Sequence, residues 1–332
     1  MTTTSAKSIF EEQEVCNSLI TSLETNPQPG AITSSVVICA YTEERFDDLC
    51  AAVEGCLSQS VQPTEIIVVI DHNSDMKNRA TREISGVTVL SNLYEKGLSG
   101  ARDTGMEYAS GDVVLFLDDD ATPRDAWLEP LVAAFEDVNT VMAGGRVEPS
   151  WDNKEPVWFP REFNWVIGCT YRGLPVTEKS EIRNPIGASM AIRRSMVKKV
   201  GTFTGELGRI NKGFTGCEET EYAIRATNAI PNSRVIYVPD SVVDHRVPAE
   251  RAQIGYFLRR CFGEGLSKAV VSDIAGSKMA LKSERKHIVS LAKSIIKDVS
   301  HGRLGRASIS GMGTLFTIYG FLLGTFRKRK TS

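Results

Sequence analysis

The amino-acid sequence predicts an α/β protein whose central sheet is mostly parallel and is flanked by helices. Short apolar runs rich in valine and isoleucine recur through the first half of the chain, and segments with the apolar spacing of helices lie between them. Continuous apolar strands that alternate with helices are typical of a parallel sheet covered on both faces. The chain has 332 residues, which is enough for a large core of this kind.

The first half of the chain follows a strand–helix order. The predicted strands are 36–41, 65–71, 87–92 and 113–118, and the predicted helices are 49–57, 97–109 and a segment near 125–137. The strands rest on unbroken apolar runs such as VVICAY, and the helices on one-sided apolar spacing such as that of Leu49, Val53 and Cys56. Residues 1–34 are predicted to be peripheral, because NPQPG breaks the chain just before the first strand.

The second half has a different character. Tryptophans, prolines and glycines are crowded into residues 144–187, which predicts long loops. A strand (188–194), a helix (217–227) and another strand (234–239) follow, and the chain looks helical from Ala249 onward. The sequence therefore divides into a peripheral segment (1–34), an α/β domain (35–248), a helical extension (249–302) and a tail (303–332).

The composition argues against several classes of protein. The net charge is −2 at pH 7, so we do not expect the chain as a whole to bind nucleic acid. Seven cysteines without a CxxC pair argue against a disulfide framework or a zinc knuckle and favour a reducing compartment. The first residues, MTTTSAKSIFEEQEV, lack an apolar stretch, so a secretory signal is not expected.

The tail predicts an association with the cytoplasmic face of a membrane. Residues 307–326 carry no charge, and their length matches one membrane crossing, although a buried core helix has the same composition. Basic residues lie on both sides, so charge does not select an orientation, and the segment either lies in the cytoplasmic leaflet or crosses once. The chain from Leu281 to Ser332 has 11 Lys+Arg against 2 Asp+Glu, which favours anionic lipid. Gly320 and Gly324 form a GxxxG pair that permits a homodimer.

Three consecutive aspartates end the fourth predicted strand. In an extended chain Asp118 and Asp120 point to one side and Asp119 points to the other. Open α/β sheets bind ligands at the carboxyl ends of their strands, and carboxylates with this spacing suit Mg²⁺ or Mn²⁺. A solvated turn followed by a helix cap is the alternative interpretation, because aspartate favours both.

Two familiar phosphate-binding loops are absent from the sequence. The turn after the first strand has no GxGxxG pattern, and no GxxxxGK[ST] occurs in the chain. If the sheet binds a nucleotide, its phosphates need a metal and an arginine, and Arg102 can supply a planar fork of donors. Asp71, at the end of the second strand, is explained equally well as a turn residue or as a contact to a base.

Several stretches of the sequence together resemble one family. They are VVICAYTEERFDDL, IIVVIDHNSD, GLSGARDTGMEYASGDVVLFLDDDATP, RNPIGASMAIRR, GCEETEYAIR and VDHRVPAERAQIGYFLRRCFGEGLSKA. In this order they resemble an inverting, nucleotide-sugar-dependent glycosyltransferase of family 2 with the type A fold, over roughly residues 35–270. Within the family, GGRVEPSW and WVIGCTYRGLP look most like membrane-associated enzymes that extend lipid-linked sugars, including glucuronosyltransferases acting on glucosyl-dolichyl-phosphate.

The resemblance implies roles on the donor side of a site. The implied donor-binding residues are Ala40, Tyr41, Glu43, Asp71, Arg102, Asp118 and Asp119. Among these, Asp71 would accept a hydrogen bond from the uracil N–H and Arg102 would neutralise the diphosphate. The implied ligands of Mg²⁺ or Mn²⁺ are Asp118, Asp120 and His245. A single histidine is more often structural, so His245 depends on the resemblance for this role.

The resemblance also implies roles on the acceptor side. In the family a Glu-Asp pair begins the helix that is GCEETEYAIR here, and its second member is the catalytic base. That member is Glu219, with Glu218 as the alternative, although acidic residues also begin helices without catalysing anything. The remaining candidates for contacts to phosphate or acceptor are Arg259, Arg260, Trp165 and Asn184. For the two arginines, a solvated basic face is the alternative.

The activity implied by the resemblance is transfer of a sugar from a nucleotide-sugar, with UDP as the expected nucleotide, to a hydroxyl of a lipid-linked or other glycan acceptor. Two alternatives share the fold: a synthase that places the sugar on polyprenyl phosphate, and an inactive membrane-associated scaffold. A nucleotidyltransferase would also use metal and nucleotide, but it would release pyrophosphate.

Overall fold

A computed structural model describes residues 31–174, 177–204, 216–275 and 282–329 of the chain. Almost all of the predicted peripheral segment, residues 1–34, lies outside these residues, as does the segment 205–215 before the helix of GCEETEYAIR. Within them, one sheet carries helices on both of its faces and continues into a set of C-terminal helices.

The strands follow the predicted order in the first half. In chain order, β1 to β9 are Ser34–Ala40, Glu65–Ile70, Thr88–Ser91, Val113–Asp118, Ala121–Pro123, Thr140–Trp151, Ser180–Glu181, Ser189–Arg193 and Arg234–Val247. The helices α1 to α9 are Phe46–Leu57, Ser74–Glu83, Leu98–Tyr108, Leu128–Ala133, Val197–Val200, Glu218–Ala229, Ile254–Ala275, Lys282–Ser300 and Leu304–Arg329. The predicted helix near 125–137 is shorter than expected and ends in a 3₁₀ turn, Ala134–Glu136.

The sheet is parallel in its first half and mixed in its second. Its strand order is β3-β2-β1-β4-β8-β6-β9-β5, with β7 paired to β9. The pairs among β1 to β4 are parallel, β8 runs antiparallel to both of its neighbours, and β6 and β9 are parallel to each other. The predicted α/β class is therefore confirmed, with the parallel arrangement concentrated where the apolar runs alternate with helices.

The strands of the first half are buried on both faces because successive side chains point to opposite sides. In β1, Val36 and Ile38 pack into one core layer, and Val37 packs into the other. One layer is closed by α1, whose buried residues Leu49, Val53 and Cys56 follow helical spacing. This two-sided burial explains why the strands read as unbroken apolar runs.

The second half corrects two predictions about irregular structure. The region 144–187 was expected to form long loops, but β6 extends through its first part to Trp151. The last strand was expected to end at 239, but β9 continues to Val247 and pairs with β6 along its length. The pairing register shifts between Gly145 and Arg146, and this irregularity absorbs the Pro239-Asp240 step that reads as a strand end.

The three C-terminal helices pack on the sheet domain and on one another. Helices α7 and α9 approach so closely that a Cβ added at Gly265 or at Gly320 would overlap the backbone of the opposite helix. Gly324 lies against Ala269 of α7. The GxxxG pair predicted to permit a homodimer therefore faces a helix of its own chain, as small residues do wherever two helix backbones meet.

Candidate active site

The pairing of the strands brings the predicted metal ligands to one edge of the sheet. Asp118 ends β4, next to Cys39 of β1. The chain then turns through Asp119 and Asp120 into β5, which pairs antiparallel with β9 and places Ala121 opposite His245. Pro149 of β6 lies opposite His245 on its other side. Residues far apart in sequence therefore meet at the carboxyl end of β4, as expected for an α/β sheet.

The carboxylates and the imidazole form a cluster that can hold a divalent cation. One ligand atom from each of Asp118, Asp120 and His245 lies within 4.8 Å of the others. His245 Nε2 lies 3.2 Å from Asp120 Oδ1, and the imidazole is buried. Its Nδ1 lies 3.7 Å from the Cys169 thiol, which orients the ring. Two carboxylates and one imidazole suit a cation such as Mn²⁺ that also binds substrate oxygens.

Two arginines that sequence reasoning did not select also face the aspartates. Arg45, from the turn after β1, donates to Asp120 Oδ2 at 2.7 Å and lies 3.0 Å from Asp119 Oδ1. Arg251, just before α7, lies 3.5 Å from Asp120 Oδ2. Both arginines lie in short segments that precede a helix, where most arginines are solvated. The sequence therefore does not distinguish Arg45 and Arg251 from solvated residues.

These cations set the ionisation of the cluster when no metal is bound. Burial alone would raise the pKa of Asp120, but His245, Arg45 and Arg251 hold it below its ordinary value. Burial would likewise lower the pKa of His245, but Asp120 raises it to about 10. For Asp119, burial raises the pKa well above its ordinary value despite the contact with Arg45. A metal ion that enters the site must therefore displace protons or cationic side chains.

Arg102 connects the metal cluster to the acidic helix. Its side chain is 2% exposed, and its guanidinium lies 3.5 Å from Asp118 Oδ1, 3.3 Å from Glu218 Oε1 and 3.4 Å from Glu219 Oε1. Because α3 begins at Leu98, Arg102 is in its second turn and reaches under the end of β4. One buried guanidinium thus lies close to both a candidate metal ligand and the candidate bases.

The three glutamates of α6 occupy different environments. Glu221 is held by Arg225 at 2.8 Å and by the Thr204 hydroxyl at 2.9 Å, which is a structural arrangement. The Glu218 side chain is 3% exposed, whereas that of Glu219 is 18% exposed. Burial and the neighbouring charge of Glu218 raise the pKa of Glu219 to about 7. Glu219 therefore combines access with a proton affinity suited to a base near neutral pH.

Gly187 leaves the space in which the Glu219 carboxylate and the Arg102 guanidinium meet. A Cβ added at Gly187 would overlap the carboxylate of Glu219 and the guanidinium of Arg102. The residue lies in the segment just before β8, and its neighbours Asn184 and Pro185 are joined by a local hydrogen bond of 3.0 Å. The stretch RNPIGAS is therefore shaped to let the backbone approach the charged pair.

We expect Gly187→Ala to lower activity at least tenfold and to destabilise the fold by about 1–3 kcal/mol, because Glu219 and Arg102 must move away from the new methyl group. Turnover and thermal unfolding of the purified variant measure both effects. Gly305→Ala in α9, where nothing lies within 4 Å of the added carbon, is the matched control and should behave as the parent. Full activity of Gly187→Ala would contradict the close contact.

The predicted nucleoside side lies at the ends of β1 and β2. Ala40 is buried, Tyr41 is 55% exposed and its ring lies under the Arg45 guanidinium at 4.9 Å. Asp71 accepts hydrogen bonds from Asn92 Nδ2 at 2.7 Å and from the Gly97 amide at 3.0 Å. Asp71 therefore ties the start of α3 to the end of β2. A nucleotide base in contact with Asp71 would share the carboxylate with the Asn92 and Gly97 donors.

Comparison with known proteins decides the family. The profile of Glycosyl transferase family 2 matches residues 35–201, about half of the chain. The glucosyl-dolichyl phosphate glucuronosyltransferase of Haloferax volcanii is 30% identical over 300 residues, which are 87% of this chain and 95% of that protein.

The chain is a family 2 glycosyltransferase.

Further similarities agree with this family and with the fold. The succinoglycan biosynthesis protein ExoM of Rhizobium meliloti is 23% identical over 235 residues, 69% of this chain and 71% of that protein. The solved mannosyltransferase PcManGT from Pyrobaculum calidifontis superposes with a TM-score of 0.55 at 16% identity, over 92% of this chain and 90% of that chain. The structure of GalNAc-T7 superposes with a TM-score of 0.52 at 16% identity. The superposition covers 78% of the present chain and 55% of the longer GalNAc-T7 chain. Both structural likenesses show a shared fold.

The family profile ends before part of the site. His245 and Glu219 both lie beyond residue 201, yet the sheet and Arg102 bring them to Asp118. The candidate site therefore draws residues from both halves of the chain.

The other predicted acceptor contacts occupy less decisive places. Trp165 is half-buried and packs on Phe163 with ring centroids 5.6 Å apart. Asn184 accepts from Arg183 Nε at 2.8 Å. Arg259 and Arg260 lie in the first half of α7, with Arg260 buried and Arg259 exposed at the surface of that helix. These four residues remain predictions, because their described contacts are within the protein.

Proposed function

We propose that this glycosyltransferase inverts the anomeric configuration as it transfers a sugar from a UDP-sugar to a hydroxyl of a lipid-linked glycan. The observation that carries the proposal is Arg102, which lies between Asp118 of the metal cluster and Glu219 of α6. A donor diphosphate at the cluster and an acceptor hydroxyl at Glu219 would then occupy opposite sides of one compact site.

The metal would be held by Asp118, Asp120 and His245, whose donor atoms suit Mn²⁺ or Mg²⁺. The structures of GalNAc-T7 and PcManGT both contain Mn²⁺, which favours Mn²⁺ for the proposal. A bound divalent cation would neutralise the donor diphosphate and the charge on the departing nucleotide. Arg45 and Arg251, which balance Asp120 in its absence, would be free to turn toward the phosphates.

Glu219 would act as the general base. Its carboxylate would take the proton from the acceptor hydroxyl, whose oxygen forms the new bond to the anomeric carbon while the bond to the nucleotide oxygen breaks. Attack from the face opposite the leaving group gives an inverted product, so an α-linked donor yields a β-linked sugar. Arg102 would offset the charges of Glu219 and Asp118 during this displacement.

The named activity of the Haloferax volcanii relative supports a lipid-linked acceptor and a glucuronosyl donor. A direct test is calorimetric titration of the full-length protein with UDP-glucose and UDP-glucuronic acid, each with Mn²⁺ and with EDTA. We expect one donor to bind only with metal, and the anomeric proton coupling of the transferred sugar to report inversion. Binding of neither donor to folded protein, or a retained anomeric configuration, would overturn the proposal.

The C-terminal helices would place this reaction at the cytoplasmic face of a membrane. Within the described residues, one helix is long and apolar enough to cross a membrane: Leu304–Phe326, with mean hydropathy 1.4 and 22% of its apolar window buried. One face of α9 packs on α7, and the opposite face exposes apolar residues. The exposed apolar residues of α9 are Leu304, Met312, Leu315, Phe316, Ile318, Tyr319, Leu322 and Phe326, of which Tyr319 also packs on Phe262 of α7 with ring centroids 5.6 Å apart.

Helix α8 also exposes apolar residues. Ile288, Val289, Ile296 and Val299 are exposed along it, and Lys293 and Lys297 lie beside them. An apolar face bordered by lysines is typical of helices that lie on anionic lipid. The lipid-linked acceptor would thus meet the site from the same membrane.

We expect Leu315→Asp combined with Leu322→Asp to move most of the protein from the membrane fraction to the soluble fraction. Each aspartate near the middle of a membrane-embedded helix costs about 3 kcal/mol, and both leucine side chains are exposed. Sedimentation of membranes from cells measures the shift. Val138→Asp, in an exposed turn before β6, is the control and should leave the fractionation unchanged. Retention of the double variant on membranes would contradict an embedded α9.

A further inference from the structure

The helix that carries Glu219 begins without a cap of its own. Cys217, the residue before α6, has a left-handed backbone conformation (φ 76°, ψ 15°) and makes no side-chain hydrogen bond to the helix. Non-glycine residues adopt this conformation reluctantly, and cysteine is a poor helix cap. The first turn, with Glu218 and Glu219, therefore needs support from another part of the protein.

Helix α7 supplies that support through two side chains. The Gly216 amide donates to Ser267 Oγ at 3.1 Å. Ser267 is fully buried and donates its own proton to the Gly263 carbonyl at 3.0 Å, so the hydroxyl is oriented to accept from Gly216. The Gly216–Ser267 bond ties the backbone directly ahead of α6 to α7.

The second contact lies one helical turn away on the same face of α7. The Cys217 thiol donates to the Glu264 carboxylate, with Sγ 3.5 Å from Oε1. Lys268 lies 3.2 Å from the same Glu264 oxygen and balances its charge. Farther along, Ile224 of α6 and Val271 of α7 are buried together. The two helices are thus joined from the start of α6 into its second turn.

We propose that Ser267 and Glu264 are positioning residues that hold the first turn of α6 where Glu219 can reach the acceptor hydroxyl. The proposal rests on the proposed function only for its catalytic consequence. The contact between Glu219 and Arg102 is long, at 3.4 Å, and a flexible side-chain pair does not by itself fix the backbone that carries the carboxylate. The backbone anchor comes from α7.

The same helix packs on α9 with its other face. Gly265 lies against Thr317 and Phe321, and the Gly320 position lies against Phe262 of α7. Residues 264 and 267 therefore face the base helix, while 262 and 265 face the apolar C-terminal helix. Helix α7 lies as a rigid spacer between α6 and α9. The packing of α9 on α7 therefore contributes to the placement of Glu219.

Ser267→Ala tests the proposal, because it removes the acceptor for Gly216 and leaves the volume of the core nearly unchanged. We expect kcat to fall about tenfold, with the metal-dependent donor affinity and the binding stoichiometry unchanged, since the donor side is built by other elements. Ser272→Ala on the same helix is the matched control, because the Ser272 hydroxyl is buried and has no hydrogen-bond partner among the described residues. A Ser267→Ala enzyme with parental kcat, or one that loses donor binding in proportion to kcat, would overturn the proposal.

Hydrogen exchange separates this inference from the proposed function. The amides from Gly216 to Glu221 should exchange about tenfold faster in Ser267→Ala and at the parental rate in Ser272→Ala, whatever reaction the site performs. Faster exchange in a protein with no glycosyl transfer would refute the proposed function and support the anchor. Unchanged exchange in an active enzyme would refute the anchor alone.

A second pair of variants covers the case in which Ser267→Ala does not fold. Cys217→Ala removes the donor to Glu264, and Cys217→Ser retains a hydroxyl donor at the same place. We expect the alanine variant to lose kcat severalfold and the serine variant to recover it at equal donor affinity. Equal activity of the two variants would contradict a role for the Glu264 contact.

Discussion

Replacement of Asp120 by asparagine is expected to abolish metal-dependent binding of the nucleotide-sugar donor. Asp120 lies closest to His245 in the metal cluster and also receives Arg45 and Arg251. Asparagine keeps the volume of the side chain but removes the negative charge that favours a divalent cation. Titration with donor and Mn²⁺ should show a loss of affinity of at least about 100-fold, because even the loss of a residue that only orients a metal ligand costs about 10–100-fold.

The same substitution leaves three cationic groups around a neutral side chain, so a decrease in stability is also expected. Breaking a buried ion pair by removing one partner costs about 3–5 kcal/mol. The thermal unfolding of the variant is therefore measured as well, and the titration is carried out at a temperature where the variant is folded. Asp240→Asn, at an exposed position of β9, is the matched control and should keep the parental affinity. Metal-dependent binding that survives in Asp120→Asn would place the cation elsewhere.

Replacement of Glu219 by glutamine is expected to stop turnover while donor binding continues. Glutamine can still accept a hydrogen bond from Arg102, so the site keeps its shape, but it cannot take a proton. Loss of a general base typically costs about 10²–10⁴-fold in rate, and we expect kcat to fall within this range. Single-turnover transfer to the acceptor measures it. Glu221→Gln on the same helix, where Arg225 holds the carboxylate, should lose far less activity.

The pH profile gives an independent measure of the same carboxylate. Because burial and Glu218 raise the pKa of Glu219 to about 7, the group is protonated and inactive as a base below that value. The parental kcat/KM should therefore rise with pH through about 7 and then level off, and this limb should be absent from the residual activity of Glu219→Gln. Full turnover by the glutamine variant would favour the polyprenyl-phosphate synthase, because an ionised phosphate acceptor needs no base.

The sequence predicts those residues of the candidate site that lie at the ends of apolar strands. Asp118 and Asp120 were recognisable because an apolar strand that ends in carboxylates is unusual unless something positive is nearby. His245 was recognisable only through the family resemblance, since the β5–β9 pairing that brings it to Asp120 links segments far apart in the chain. No local pattern encodes such a pairing.

Other features of the candidate site could not be predicted from the sequence, because they also depend on contacts between segments far apart in the chain. Arg45 resembles a solvated residue at the start of a helix, and its contacts with Asp119 and Asp120 exist only after the turn folds against β4. Gly187 resembles a loop glycine, although its role is to leave room for Glu219. The full length of β9 was missed because Pro239 and Asp240 are typical of a strand end, and the bulge opposite β6 that accommodates them has no sequence signature.

The position of β9 in the sheet has a consequence for how the protein is made. β1 to β4 form a parallel unit of neighbouring strands, whereas β9 must be inserted between β6 and β5 after most of the chain has been synthesised. Contacts of such long sequence separation form late, because the loop-closure entropy must be overcome first. An emerging chain would therefore carry Asp118 and Asp120 without His245 to complete the set. Tight uptake of a divalent cation should accordingly require β9 in its place and distinguish molecules with a paired β9 from folding intermediates without it.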